Sequence, residues 1–207
     1  MPCNTGGIVA HDALPPTPRR AYPMGMVLSA ERFTVADLEA IPDDGLHREL
    51  LDGVLFVNPL AASPHQVIAM RCALQLARYL ESNPLGTVLS PGRVLLGDHT
   101  ALEPDVLVLP GTAAAAARPW SDHPAPLLVV EIVSPSSRQI DYLLKRASYA
   151  SRGVGEYWIV DAPERCVTVV RPGQADVQVF GSLEWRPSGE HAPLRFDVAA
   201  LFEGLTP

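Results

Sequence analysis

Short apolar runs alternate with polar punctuation rich in proline and glycine, and the period inside each run predicts the elements. Thr34-Val-Ala-Asp37 has capping-box spacing, with Asp where Glu or Gln is usual, and predicts a short helix ending near Ile41-Pro42. Residues 48–51 and 54–57 flank Asp52-Gly53, and Asp-Gly between apolar runs predicts a tight hairpin. Ser63-Pro64-His65-Gln66 predicts a second helix start: Ser63 as cap, Pro64 at the first helical position, Gln66 closing the box. Val67, Met70, Leu74 and Ala77 then recur at helical spacing as an apolar face, with Arg71 and Arg78 on another. Asn83-Pro84-Leu85-Gly86 stops that helix.

Further on, residues 87–89, 93–96, 106–109 and 127–133 read as strands. The last two are runs of Val, Leu and Ile with little alternation, as expected of strands covered on both faces. Residues 111–126 form a predicted loop. A helix is expected from about Arg138 to Arg152, ended by Gly153. Residues 156–160 read as another strand, 166–171 and 177–180 as a meander around Pro172-Gly173, and 199–202 as a final helical turn. This order predicts the α/β class: a mixed β-sheet flanked by helices. Residues 1–27 carry five prolines and three glycines without periodicity. They predict a disordered leader, with Met24 or Met26 as an alternative start, leaving 28–207 as a single domain.

Composition narrows the function classes. With 47% apolar and 19% charged residues among 207, the chain has material for a sizeable core. No run is apolar and long enough to span a membrane, and the N-terminus lacks a secretion signal. Cys3, Cys72 and Cys166 are far apart and form no C-x-x-C pair, which argues against zinc ribbons and disulfide frameworks and fits a cytoplasmic protein. The net charge of −7 argues against coating nucleic acid by charge alone, but not against a local grip. Acidity concentrates in 28–44 and 161–207, so any polyanion contact is expected from the near-neutral middle. The basic side chains are 15 Arg and a single Lys, Lys145.

Two carboxylates stand where charge is costly. Asp105 opens the run Val106-Leu-Val-Leu109, and Glu131 lies inside Leu127-Leu-Val-Val-Glu-Ile-Val133. Glu131 is either a paired structural acid, an edge residue, or a metal ligand. Adjacent strands can bring two such acids within a few ångströms, where they repel. A hard divalent cation such as Mg²⁺ resolves that repulsion, and the Ile132 carbonyl could add an oxygen. Lys145 lies 14 residues beyond Glu131, on a helix that packs back over the sheet. It is either the partner of Asp141 in a helix-surface pair at i, i+4 or a cation delivered to the strand end. Ser134 and Ser136 have no His/Asp partners suited to a serine hydrolase, and Gly-rich phosphate loops are absent.

Pro104-Asp105, Glu131-Ile-Val-Ser-Pro-Ser136, Asp141, Lys145, Tyr149 and Gly153-Val-Gly-Glu-Tyr-Trp-Ile-Val-Asp161 together resemble the Uma-type putative restriction endonuclease family of the PD-(D/E)XK nuclease superfamily. Upstream, Ile41-Pro-Asp-Asp-Gly45, Glu49-Leu-Leu-Asp-Gly53 and Pro64-His65 are similar too, so the likeness runs from about Phe33 to Phe202. The resemblance implies a restriction-endonuclease-like core, with Asp105 and Glu131 as metal-binding acids. It implies that Lys145 replaces the lysine usually found two residues after the acid, where this chain has Val133. It further implies that Glu49 approaches the same site, against the alternative of an exposed hairpin acid beside Arg48. His65 matches a family histidine and reads either as a site residue or as part of the helix's capping turn.

The expected function is Mg²⁺- or Mn²⁺-dependent phosphodiester hydrolysis in DNA. Asp105, Glu131 and Ile132 would bind the metal, Glu49 and Lys145 would complete the catalytic set, and Arg71, Arg78, Arg138, Arg146 and Arg152 are candidate phosphate contacts. Rival expectations are a non-catalytic DNA- or protein-binding member of the same fold and an RNA-processing nuclease. A homodimer is expected from the need for two sites in double-strand cutting. Tyr149, Tyr157 and Trp158 read as core.

Overall fold

In the computed structural model, which describes residues 32–58, 61–134 and 137–205, the predicted Asp-Gly turn is formed. Asp52 and Gly53 both take positive φ, 50° and 82°. A two-residue hairpin turn needs that geometry to match the twist of its strands. It joins β1 (His47–Leu51) to β2 (Val54–Asn58). Ahead of it, the capping box closes α1 (Val35–Glu39): Asp37 N donates to Thr34 Oγ1 at 3.2 Å, and Thr34 N donates to Asp37 Oδ2 at 2.8 Å.

Helix α2 (Ser63–Ser82) departs from expectation in two ways. Ala62, not Ser63, is its cap residue, no side-chain cap bond forms, and Gln66 Nε2 reaches back to the Ala61 carbonyl. Its buried stripe is Ile68, Cys72, Leu76 and Leu80, while Val67, Met70 and Leu74 face outward. The rotation is set by polar docking that periodicity does not encode. Arg71 donates to the carbonyls of Leu201 and Glu203, Gln75 to that of Asp197, and Tyr79 to that of Ala192. Arg71 is therefore a structural anchor.

The chain continues through β3 (Gly86–Leu89), β4 (Val94–Leu95), β5 (Ala101–Leu102), β6 (Val106–Pro110) and α3 (Ala113–Ala116), which with a 3₁₀ turn at Trp120–Asp122 occupies the expected loop. After β7 (Leu128–Val133), a π-wound segment (Ile140–Lys145) leads into α4 (Arg146–Ser151). Then come β8 (Tyr157–Asp161), β9 (Cys166–Val170), β10 (Val177–Val179), β11 (Ser182–Trp185), β12 (Leu194–Asp197) and a 3₁₀ turn at Ala199–Phe202. The β11–β12 hairpin and β5 are additions to the expected elements.

The central sheet has the order β10-β9-β8-β7-β6-β3 and is mixed: β7 and β8 are parallel, the other pairs antiparallel. A parallel pair needs a crossover, supplied here by the π-wound segment and α4. A second sheet, β2-β1-β5-β4, packs over the same face as the crossover. The opposite face meets α2 and the β11–β12 hairpin, where Trp158 packs edge-on to Phe196 at 4.8 Å and to Trp185 at 6.4 Å. This is the expected α/β class, a mixed sheet flanked by helices. Among the described residues no helix is long and apolar enough to cross a membrane. Cys72 and Cys166 are buried free thiols. The expected leader and Ser136 lie outside the described residues.

Candidate active site

Side chains alternate along β7. Val130 and Ile132 enter the core under α2, while Val129, Glu131 and Val133 point to the other face. That step of one residue buries a carboxylate beneath the crossover. Glu131 Oε1 accepts from Tyr149 OH at 2.9 Å and from Lys145 Nζ at 3.0 Å. Val133, two residues beyond the acid, is packed in apolar surroundings. Lys145 reaches the acid from the crossover instead.

The winding of the crossover explains how. Segment 140–145 is π-helical, and the Asp141 carbonyl accepts from Tyr157 OH at 3.1 Å. Such local unwinding recurs at functional sites, where it re-aims side chains. Asp141 and Lys145 are both buried, so the i, i+4 pair is no surface pair; Nζ and Asp141 Oδ1 are 3.5 Å apart. Glu49, on β1, is buried rather than an exposed hairpin acid. Its Oε1 accepts from Glu103 N at 2.8 Å and lies 2.8 Å from Lys145 Nζ, and its Oε2 accepts from Asn58 Nδ2 at 2.7 Å. Arg48 pairs with Asp44.

Asp105 lies beside the same strand end. Val106 pairs with Val130, and Asp105 Oδ2 accepts from Ile132 N at 2.7 Å. His65 Nε2 is 3.3 Å from the same oxygen. Burial works against the imidazolium, but the Asp105 carboxylate and the Ile132 carbonyl outweigh it and hold the ring's pKa above its ordinary value. The structure thus draws His65 against Asp105, although the bare sequence left a capping-turn role open.

The cluster has more acid than base. Burial pushes the Glu131 carboxyl well up; Lys145 opposes this, and Asp141, Glu49 and Asp105 add to it. Burial likewise raises Asp141, against Lys145 and a Ser137 hydrogen bond. Burial works against the Lys145 ammonium, but Glu131, Glu49 and Asp141 outweigh it, so the lysine stays protonated. Three carboxylates surround one ammonium, so the cluster is short of positive charge, which a divalent cation would supply. Asp141 Oδ1 is buried without a hydrogen-bond partner. The free donors are hard oxygens, which suit a Mg²⁺-like ion that takes one or two carboxylates and completes its shell with water. Among the described residues, no three His, Cys, Asp or Glu side chains form a ready-made cage.

Asn58, Tyr157 and Ser137 were not anticipated here. Asn58 was readable in principle: a two-residue turn at 52–53 fixes the hairpin register, pairing Glu49 with Phe56 and His47 with Asn58, so Asn58 is the diagonal neighbour of Glu49. Tyr149, Tyr157 and Trp158 are core as expected, but the two tyrosine hydroxyls also reach the cluster. Two more candidate phosphate contacts are occupied: Arg138 pairs with Asp161 and Arg146 with Asp176.

Comparison with known proteins meets this geometry. The Uma2 family, described as "Putative restriction endonuclease", matches residues 35–199. The chain belongs to the Uma2 family. Glu49, Asp105, Glu131, Ile132 and Lys145 all fall within the matched Uma2 span. The chain is also similar to the crystal structure of a putative nuclease belonging to DUF820 from Anabaena variabilis ATCC 29413, with TM-score 0.68 and 20% identity, covering 82% of this chain and 97% of that one. At that identity the likeness is one of fold. Comparison with curated proteins returns no match.

Proposed function

We propose that this Uma2 protein is a metal-dependent endonuclease that hydrolyses phosphodiester bonds in DNA. The observation that carries the reading is the convergence of the chain's only lysine with Glu131 and Glu49, at 3.0 and 2.8 Å, beside Asp105 at the end of a central strand. Asp105, Glu131 and the Ile132 carbonyl would hold Mg²⁺ or Mn²⁺. Such an ion, when bound, polarises a phosphate and makes water a better nucleophile at neutral pH. The other roles belong to the chain. Lys145 presents an ammonium to charge developing on the phosphate oxygens. Glu49, fixed by Asn58 and Glu103 N, keeps that ammonium in place. Tyr149 orients the Glu131 carboxylate, while Ile132 N and His65 orient Asp105. Arg78 and Arg152, which make no ion pair among the described residues, are the remaining candidate phosphate contacts.

The test is plasmid cleavage with Mg²⁺ or Mn²⁺ by wild type, Asp105→Ala and Lys145→Ala, with RNA of matched sequence under the same salt. Metal-dependent nicking by wild type and its loss in both variants is the expected result. Equal cleavage by all three proteins removes the site assignment. DNA retention without cleavage at any metal concentration favours the non-catalytic reading, and a preference for RNA the processing one. Cutting both strands calls for two such sites, so we place the active form as a homodimer. Sedimentation at the mass of one chain under cleavage conditions would refute that.

A further inference from the structure

The ammonium of Lys145 has three protons and, in this arrangement, two hydrogen-bonding carboxylates, Glu49 and Glu131. The third carboxylate is close but unused: Asp141 Oδ1 lies 3.5 Å from Nζ, is buried, and has no hydrogen-bond partner. An orphaned carboxylate oxygen inside a protein is costly. Asp141 is not free to relieve that cost by swinging away. Its N–H donates to the Ser137 carbonyl at 2.9 Å, its carbonyl is held by Tyr157, and its carboxylate accepts from the Ser137 side chain. Its residue is only 1% exposed.

We propose that Asp141 is a positioning residue for Lys145: its orphaned oxygen is the acceptor to which the ammonium passes when Glu131 turns its carboxylate toward a cation. This rests on the reading of Glu131 and Lys145 as site residues. Without such an acceptor, Lys145 would lose one of two partners while still buried, a situation that strongly disfavours the charged group. With it, the lysine exchanges one carboxylate for another on its own helical segment. The π winding serves this exchange because it holds both side chains of the i, i+4 pair inward at the strand end. Glu49 stays bonded throughout and acts as the pivot.

The single lysine makes the exchange directly observable. In protein labelled with ¹⁵N-lysine, one Nζ resonance reports Lys145, and an amine-directed reagent modifies only Lys145 and the chain's N-terminus, which peptide mass mapping separates. Wild type and Asp141→Asn are compared with and without Mg²⁺, the metal alone. The expected result is that Mg²⁺ shifts the wild-type Nζ resonance while modification stays slow. In Asp141→Asn, Mg²⁺ should accelerate modification of Lys145 by about tenfold, as the amine loses Glu131 and finds no second carboxylate to hold it. An equal effect of the substitution with and without Mg²⁺, or no effect, overturns the proposal. Ser137→Ala, which frees the Asp141 carboxylate without removing it, should show the same Mg²⁺-dependent acceleration at smaller size if Asp141→Asn does not fold. These readouts need no nucleic acid. A protein that shows the exchange but cuts nothing refutes the nuclease reading alone, and one that nicks plasmid without the exchange refutes Asp141's role alone.

Discussion

Glu131 and Glu156 are both buried glutamates, on the adjacent parallel strand β7 and at the entrance to β8, and they are treated in opposite ways. Glu156 is matched: Oε1 accepts from Trp158 Nε1 at 2.6 Å and Oε2 from Arg171 Nε at 2.8 Å. Burial pushes its carboxyl up, and the indole and guanidinium pull it back. No second carboxylate competes. Glu131 shares a single ammonium with Glu49 and Asp141, and Asp105 adds a fourth acid nearby. One arrangement balances its charge and ties β8 to β9; the other is short of positive charge. A shortage of this kind weakens a fold and persists where chemistry needs it. Burial alone does not separate a structural acid from a site acid. The two acids differ in the count of opposing charges around them.

The comparison breaks most visibly if the two cations are removed. Lys145→Met leaves three buried carboxylates without a cation and is expected to cost about 3–5 kcal/mol in urea unfolding, with loss of cleavage. Arg171→Met strips the half-buried guanidinium from one carboxylate that keeps its indole donor and is expected to cost about 1–3 kcal/mol without affecting cleavage. Equal costs would refute the contrast.

Removing the acids' charges sharpens it, because the signs differ. At pH 8 and without metal, Glu131→Gln relieves like-charge crowding and is expected to stabilise the protein by about 1 kcal/mol. Glu156→Gln weakens a matched pair and should destabilise it by about 1–3 kcal/mol. Destabilisation of similar size in both would show that Glu131 is an ordinary ion-pair partner.

The pH dependence follows from the raised Glu131 carboxyl. An acid whose folded pKa lies above its unfolded value stabilises the fold while protonated. That contribution is complete below the ordinary value of 4.5 and is lost as pH climbs through the raised one. A divalent cation offsets the loss, so the rise in Tm on adding Mg²⁺ should be larger at pH 8 than at pH 6 and should vanish in Glu131→Gln. A rise that is independent of pH, or that survives the substitution, counts against the assignment. Smallest in stability is Asn58→Ala, at about 0.5–1.5 kcal/mol, with a clear loss of cleavage if Glu49 needs its amide partner.

Much of the fold was legible because the signals are local. Asp52-Gly53 permits the positive φ values the hairpin needs, Thr34 and Asp37 cap each other, and the Val-rich β6 and β7 runs are covered on both faces. The α2 face was misread because the helix offers two apolar stripes, Val67-Met70-Leu74 and Ile68-Cys72-Leu76-Leu80. Contacts more than 100 residues away, made by Arg71, Gln75 and Tyr79, chose between them. The β11–β12 hairpin escaped although Leu183/Trp185 and Leu194/Phe196 alternate inward. A polar stretch of eight residues separates the strands and hides their pairing. Strand β5, two residues long, has no period to read.

For the site, the sequence by itself determined the unusual acids: Asp105 and Glu131 stand at and within apolar strands, where charge requires a partner, and Lys145 is the only lysine. It also set the register that brings Asn58 beside Glu49. Only the tertiary structure decided that Asp141 is buried rather than at the surface and that Lys145 reaches Glu131 from the crossover. It also decided that Arg71, Arg138 and Arg146 each find a partner within the chain. The reason is physical. A side chain's face follows from local period, but its electrostatic partners depend on how a helix rotates and winds against a sheet, and no single segment encodes that.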